Sequence, residues 1–250
     1  MLALKLLLVP FFLLLVTLAG RRWGPSVAGW LAGLPVVAGP ILFFLALEHG
    51  APFTAHAATA ALSAVFASVA FSLTYAHAAQ RWSWQTAVAL GLLAWAMAAT
   101  SLTTRPLSQA MALVIALLTL LAAPVCFPRK AGKAQSQQLG IAELGLRMLA
   151  GAVLTLAVTL SAGHVSPAWS GLLAVFPVLG IVLAVFSHHS QGPAFAAALL
   201  KAMVTGLYSF VAFCFTLSMA LPLLGTVWSF TIACSGAAAV QLLSKRILAR

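Results

Sequence analysis

The sequence predicts an all-α polytopic membrane protein, and three observations carry this prediction. Hydrophobic residues make up 63% of the 250 residues and charged residues only 6%, whereas an ordinary soluble domain has about 25% charged residues. The mean hydropathy is +1.11, so apolar residues are spread along the chain and a soluble domain on a single anchor is excluded. Finally, the chain divides into apolar runs close to the ~20 residues that a membrane-spanning helix needs.

Nine such runs are bounded by charged residues, proline or glycine. Since every backbone N–H and C=O must be paired within lipid, runs of this length are expected to be helices and not the short alternating strands of a barrel. The runs are 1–19, 27–47, 52–79, 84–102, 107–127, 144–162, 169–186, 193–220 and 227–243. We therefore expect nine transmembrane helices.

An internal repeat relates the two halves of the chain. A shift of 142 positions aligns them without a gap, and 15 of the 50 positions from Pro25 to Thr74 are identical to their counterparts. The matches include Pro25 with Pro167, Gly29 with Gly171, Pro35 with Pro177, Gly50 with Gly192 and Phe71 with Phe213. The first run also matches the sixth, so we interpret it as a permanent span and not as a cleaved signal peptide.

Each repeat holds four of the nine runs. The first repeat covers residues 1–105, the second covers 143–250, and residues 106–142 supply a linking helix and a polar cytoplasmic linker. Five crossings separate the start of one repeat from the start of the other, so the repeats are predicted to be inverted. Many secondary transporters have this architecture. If the second run of each repeat were re-entrant, the repeats would instead be parallel.

The basic residues predict the orientation. The net charge of +11 would suggest nucleic acid in a soluble protein, but here the charges lie in short loops where they meet lipid head groups. If all nine runs cross the membrane, most of the basic residues lie on the same membrane face. They are Arg21, Arg22, Arg81, Arg129, Lys130, Lys133, Lys245, Arg246 and Arg250, with Arg147 near this face. The other face has only Lys5 and Arg105. We therefore expect a bacterial inner-membrane protein with its N-terminus outside and its C-terminus cytoplasmic. Its expected partner is the lipid bilayer, with no nucleic acid and with a homodimer left open.

The block Gly171-Leu172-Leu173-Ala174-Val175-Phe176-Pro177, followed by Gly192 and another long span, resembles the second span of four-span inner-membrane proteins of the GlpM type. The first half departs from this pattern, with Gly33-Leu34-Pro35 at the corresponding place. The resemblance implies a tandem fusion of two such modules through an extra helix. The organisation is also similar to that of the drug/metabolite transporter superfamily, in which four-span modules of opposite orientation pair or fuse.

Prolines in the second run of each repeat are the main candidates for a substrate site. Pro35 lies close to Gly39, and Pro177 lies close to Gly180. Proline removes an intrahelical hydrogen bond, and the freed carbonyl groups must be paired by neighbours, water or a ligand. Interrupted helices at corresponding positions of two repeats point to a site at the membrane midplane. The alternative is that these residues only kink the helices and let them cross closely.

The third run of each repeat carries a polar stripe at helical spacing. The stripes are His56, Thr59 and Ser63 in the first repeat and Lys201, Thr205 and Tyr208 in the second. If Lys201 faces the interior of the bundle, it makes an anion-binding site with no carboxylate nearby. The alternative is that its ammonium group reaches the cytoplasmic head groups along the side of the helix.

Few residues are suited to other chemistry. Glu48 is a candidate for proton coupling, because the only other acid, Glu143, directly follows the central linker; the alternative is a solvated helix end. The adjacent His188 and His189 point in different directions on a helix, so no metal site is expected. The chain lacks paired acids, HExxH, a Walker loop and GxSxG, so we expect no catalytic residues, no cofactor and no enzyme activity.

Together these patterns favour a secondary transporter or flippase for a small anionic or lipid-linked solute. The expected substrate site lies at the midplane, between the proline-broken spans and the third span of each repeat. The alternatives are a non-transporting subunit that scaffolds an envelope or polysaccharide assembly, and a passive channel.

Overall fold

The computed structural model describes residues 2–103, 107–128, 140–162, 169, 172–173 and 176–248. Within these ranges the chain forms helices and turns and has no β-strand, which confirms the predicted all-α class. Arg105 and residues 129–139, which make up most of the predicted polar linker, lie outside the described residues.

The described chain forms nine helices, numbered here in chain order. They are α1 (Leu2–Trp23), α2 (Pro25–Ala32), α3 (Ala38–Ser63), α4 (Val65–Ala78), α5 (Trp84–Thr103), α6 (Gln109–Cys126), α7 (Ile141–Ala162), α8 (Val178–Gln191) and α9 (Pro193–Leu248). Non-helical glycines divide two of them, Gly50 in α3 and Gly225 in α9. We call residues 193–224 and 226–248 the first and second arms of α9.

Several of these helices are compatible with a multi-pass membrane protein. The described stretches long and apolar enough to cross a bilayer are Ala38–Ala78, Trp84–Thr103, Gln109–Cys126, Ala142–Ser161 and Pro193–Ser244. Large apolar side chains also lie exposed on the outer helices, for example Leu118, Leu121 and Val125 on α6. Such a surface is unfavourable in water and is typical of a protein that faces lipid.

Single glycines connect successive helices at four places in the described chain. Gly24, Gly50, Gly192 and Gly225 have φ between 70° and 87° and ψ between 169° and 176°. Only glycine adopts this region readily, because a Cβ atom would clash with the backbone. A proline follows Gly24 and Gly192 directly and starts the next helix, where its missing N–H is not needed.

The helices that these glycines join run antiparallel where close contacts report their direction. In each pair of helices, a Cβ atom added to a glycine would lie close to a residue of the other helix. The two residues are separated from the turn glycine by nearly the same number of positions, one before it and one after it. Such pairs are Gly20 with Ala28 (3.1 Å), Gly180 with Met203 (3.0 Å) and Gly236 with Thr216 (3.9 Å). Turns of one residue therefore replace the longer loops that would separate soluble helices.

Candidate functional site

The helical structure is interrupted at Pro35 and again at Pro177, and we call these places the first and second breaks. The two breaks have the same pattern of backbone hydrogen bonds. At the first break the backbone N–H of Leu34 donates to the carbonyl group of Leu31 (3.1 Å), that of Val36 to Leu34 (2.8 Å) and that of Gly39 to Pro35 (2.8 Å). At the second break the corresponding bonds run from Phe176 to Leu173 (3.0 Å), Val178 to Phe176 (2.6 Å) and Ile181 to Pro177 (2.7 Å). Every bond of the second break lies 142 positions after its counterpart in the first.

Proline chemistry accounts for this local structure. One bond at each break, Val36 to Leu34 and Val178 to Phe176, spans three residues with the proline at its centre, and Pro177 has φ −76° and ψ 50°. These angles are close to those of an inverse γ-turn. Proline has no N–H to continue the helix, so α2 ends at Ala32 and α3 begins only at Ala38.

Both breaks line one cavity of about 70 Å³, which we call the central cavity. Its lining residues are Ala32, Gly33, Leu34, Val37 and Ala38 from the first break, Ser68 from α4, Phe176, Pro177, Val178, Leu179 and Gly180 from the second break, and Met203, Leu207 and Phe210 from α9. This lining is apolar except for Ser68 and the backbone. The volume has room for a few water molecules and none for a larger solute.

Corresponding residues of the two halves contribute together to the lining of this cavity. Four pairs of lining residues stand 142 positions apart: Leu34 with Phe176, Val37 with Leu179, Ala38 with Gly180, and Ser68 with Phe210. The central cavity therefore lies where equivalent parts of the two halves meet.

Reciprocal aromatic contacts surround the same place. The Cζ atom of Phe213 lies 3.7 Å from the position that a Cβ atom would take on Gly39, and Cε1 of Phe71 lies 3.6 Å from that position on Gly180. Phe71 and Phe213 are fully buried and correspond to each other in the repeat. Each half thus packs one phenylalanine on the broken segment of the other half.

The first broken segment follows the first arm of α9 in one direction. A Cβ atom on Gly29 would meet the backbone of Leu199, one on Gly33 would meet that of Gly206, and Gly39 faces Phe213. Because both series of numbers increase together, the two segments are parallel, and residues 29–39 continue past Pro35 without turning back. Glycine on both sides allows this close backbone approach.

The predicted substrate residues fall into two groups. Pro177 and Gly180 line the central cavity, while Pro35 and Gly39 lie in the first break and directly after it. The others lie outside its lining: His56, Lys201 and the coupling candidate Glu48 are exposed, Thr59, Thr205 and Tyr208 are half-buried, and Ser63 is buried.

The polar stripes are occupied by local contacts. The hydroxyl groups of Thr59, Ser63 and Thr205 donate to carbonyl groups about one helical turn earlier, at 3.1, 2.8 and 3.3 Å, as serine and threonine commonly do within helices. Lys201 lines a separate groove of about 410 Å³, beside Pro124 and Pro128 at the end of α6. The electrostatic argument for an anionic substrate therefore does not apply to the central cavity.

Among the described residues, the most deeply buried charge is one that the sequence placed only near a membrane face. Arg147 is 2% exposed, and its Nη2 donates to Glu143 Oε1 at 2.7 Å and to Ser190 Oγ at 3.4 Å. Its guanidinium carbon also lies 5.6 Å from the centre of the Phe186 ring. The spacing of four residues between Glu143 and Arg147 was the available signal, because such residues are neighbours on a helix.

A second polar contact joins the two halves. The hydroxyl group of Tyr75 on α4 lies 3.3 Å from Nδ1 of His188 on α8. Tyr75 is fully buried. No local pattern predicts this contact, because the two residues are 113 positions apart in the chain.

Comparisons with known proteins add no family to this geometry. Among the described residues, no three His, Cys, Asp or Glu side chains come together as a metal site. Family models, curated proteins and solved structures all give no match to the chain. The resemblance to GlpM-type proteins and to drug/metabolite transporters stays a prediction from the Gly and Pro pattern and from architecture. Gly171, Ala174 and Val175 of that pattern lie outside the described residues.

Proposed function

We propose that this protein is a secondary membrane carrier or flippase that moves its substrate through the central cavity. The observation that supports this most directly is that four pairs of equivalent residues, one from each half, line that cavity. Helices interrupted at corresponding positions, with a cavity at their interface, are typical of carriers that work by alternating access.

The proposed topology has nine spans, with residues 1–105 and 143–250 as four-span repeats and 106–142 as the connection. Four spans are single helices, α1, α5, α6 and α7. Two more are divided at Gly50: one is α2 with α3 up to Gly50, and the other is the rest of α3 with α4. The last three are the segment that ends in α8 and the two arms of α9. The antiparallel contacts around the glycine turns support this division. By the distribution of basic residues, the protein lies in a bacterial inner membrane with its C-terminus in the cytoplasm.

The direction of the helices supports inversion of the repeats. Residues 29–39 run parallel to the first arm of α9. In the repeat, that arm corresponds to residues 51–82. These residues follow Gly50 just as the arm follows Gly192, and the two glycines have nearly the same backbone angles. The arm after Gly192 is antiparallel to α8, so we place residues 51–82 antiparallel to the broken segment before them. Corresponding spans then run in opposite directions.

The lining favours one of the two substrate classes that the sequence suggested. It is almost entirely apolar, and Lys201 lies in a separate groove. A lipid-linked molecule, which brings apolar surface with it, fits this lining better than a small free anion, because a bare anion would be desolvated there without a counter-charge. The cavity must enlarge to admit such a molecule, and at Pro35 and Pro177 the series of helical hydrogen bonds is already interrupted.

Cysteine accessibility tests the proposal without knowledge of the substrate. Cys126, Cys214 and Cys234 are replaced first, and Ser68→Cys is then introduced into the lining. In vesicles of known orientation, a membrane-impermeant maleimide should label this cysteine from either side, because a carrier opens the cavity to each side in turn. Ser72→Cys is the matched control and should stay unlabelled, since Ser72 is buried one turn away and outside the lining.

Two other results would contradict the carrier. Labelling of Ser68→Cys from neither side, at normal abundance, would favour a scaffold subunit. Labelling from both sides together with a solute flux that does not saturate in proteoliposomes would favour a passive channel.

A further inference from the structure

A groove of about 890 Å³ lies where α4 ends, α5 begins and α6 ends, and it shares no lining residue with the central cavity. All three helices belong to stretches that are long and apolar enough to cross a bilayer. The groove therefore lies at the level where these stretches leave the apolar part of a membrane. Its volume is in the range of sites that bind small molecules and is far larger than the space of a single water molecule.

Two contacts bring the walls of this groove together. A Cβ atom on Gly91 of α5 would lie 2.9 Å from Cδ2 of Phe71 on α4, so the two helices pack side by side and antiparallel from the turn that joins them. His77 of α4 donates from Nε2 to the backbone carbonyl group of Cys126 at 2.8 Å and holds the end of α6 against α4. The ends of three helices therefore border the groove.

The polarity of the lining changes along the groove. Gln80, Arg81 and Trp82 are exposed in the turn between α4 and α5. Leu73 lies five residues before the end of α4 and Leu90 lies six residues after the start of α5, about 8 Å deeper at 1.5 Å per residue. A phospholipid has the same order of groups, with a charged head at the membrane surface and acyl chains below it, and tryptophan is common at that level.

The charge of the lining distinguishes between classes of phospholipid. Arg81 supplies an exposed guanidinium group, and within the part of the chain that the structure describes the lining holds no carboxylate. A phosphate group accepts hydrogen bonds from a guanidinium group. A zwitterionic head group would also bring a cation for which this lining has no counter-charge, whereas an anionic head group would not.

We propose that this groove binds one anionic phospholipid of the surrounding membrane, with its phosphate group at Arg81 and an acyl chain along Leu73 and Leu90. The occupant is a lipid and not a free phosphate ion, because a free ion would leave the apolar part of the groove unfilled. The site is separate from the central cavity, and its occupancy does not depend on transport.

Native mass spectrometry of the purified full-length protein tests this proposal. The protein in detergent is titrated with phosphatidylglycerol or with phosphatidylcholine of the same acyl chains. Binding should saturate at one tightly held phosphatidylglycerol, with a dissociation constant about fivefold lower than that of phosphatidylcholine. Arg81→Gln should abolish this preference. Arg22→Gln is the matched control and should keep it, because Arg22 is also exposed and lies 5.6 Å from the ring centre of the tryptophan that follows it, but outside the groove.

Binding of neither lipid, or equal binding of both, by the unsubstituted protein would overturn the proposal without any variant. An equal loss of preference in Arg81→Gln and Arg22→Gln would also overturn it, because it would indicate attraction by the net charge of the protein and not by the groove. Displacement of the bound lipid by inorganic phosphate would assign Arg81 to a free anion instead. No transport is measured, so a negative result here leaves the carrier proposal intact.

Discussion

Small residues determine how closely the helices of this protein approach one another. At Gly33 a Cβ atom would meet the backbone of Gly206 and would lie 2.8 Å from the nitrogen of Leu207. In lipid, helix association depends on such close packing, because burying apolar surface against protein gains little over burying it against lipid. The contact between α2 and α9 is therefore expected to be sensitive to a single methyl group.

Gly33→Ala is predicted to lower the free energy of unfolding by about 1–3 kcal/mol, because neither backbone can move away from the added atom without disturbing its helix. The measurement is thermal or denaturant unfolding in detergent. Gly145→Ala is the control, since Gly145 lies in α7 with nothing within 4 Å of the added Cβ atom. Equal stability of the two variants would show that the α2–α9 contact is not as close as described.

Individual residues also show what sequence reasoning could and could not predict. The interruptions at Pro35 and Pro177 were predictable, because a missing N–H acts on the proline's own helix. The position of Lys201 outside the central cavity was not, since one helix face is distinguished from another only by its neighbours. The burial of Arg147 was missed for a similar reason: its partner Glu143 was visible, but the contact with Ser190 joins two distant segments.

At the scale of elements, glycine turns define the helices more sharply than proline does. Pro10, Pro124 and Pro222 all lie within helices, as is tolerated in membranes when neighbouring groups satisfy the freed carbonyl. The eighth apolar run was predicted to end at Ala220, yet the first arm of α9 continues across Pro222 to residue 224 and the chain turns at Gly225. A positive φ cannot be read from composition, so the turns appear in the sequence only as single glycines between apolar runs.

Substituting the turn glycines should therefore destabilise the protein without removing a side-chain contact. Gly50→Ala and Gly192→Ala are each predicted to cost about 1–3 kcal/mol, because alanine is strained at φ values of 83° and 87°. Unfolding in detergent measures this cost. Gly140→Ala, at a glycine that lacks positive φ, should be close to neutral. Similar stability for all three variants would contradict the tight-turn geometry.

At the scale of the whole molecule, the internal repeat is the sequence feature that accounts for the most of the structure. An offset of 142 positions, found from identities alone, also relates the hydrogen bonds of the two breaks and four pairs of residues that line the central cavity. The sequence does not predict which side chains of one half contact the other half. The placing of Phe71 on Gly180 and of Phe213 against Gly39 depends on how two separate segments dock, and no local pattern encodes this.

The proposed inversion can be tested at a pair of equivalent residues. Leu47 and His189 stand 142 positions apart, both are exposed, and each lies three residues before a glycine turn, Gly50 or Gly192. The measurement is labelling of Leu47→Cys and His189→Cys, in the background lacking native cysteines, with an impermeant maleimide applied to right-side-out or inverted vesicles. Inverted repeats predict that Leu47→Cys reacts only from the outside and His189→Cys only from the cytoplasmic side. Reaction of both from the same side would contradict the inversion, and alternating access through the central cavity with it.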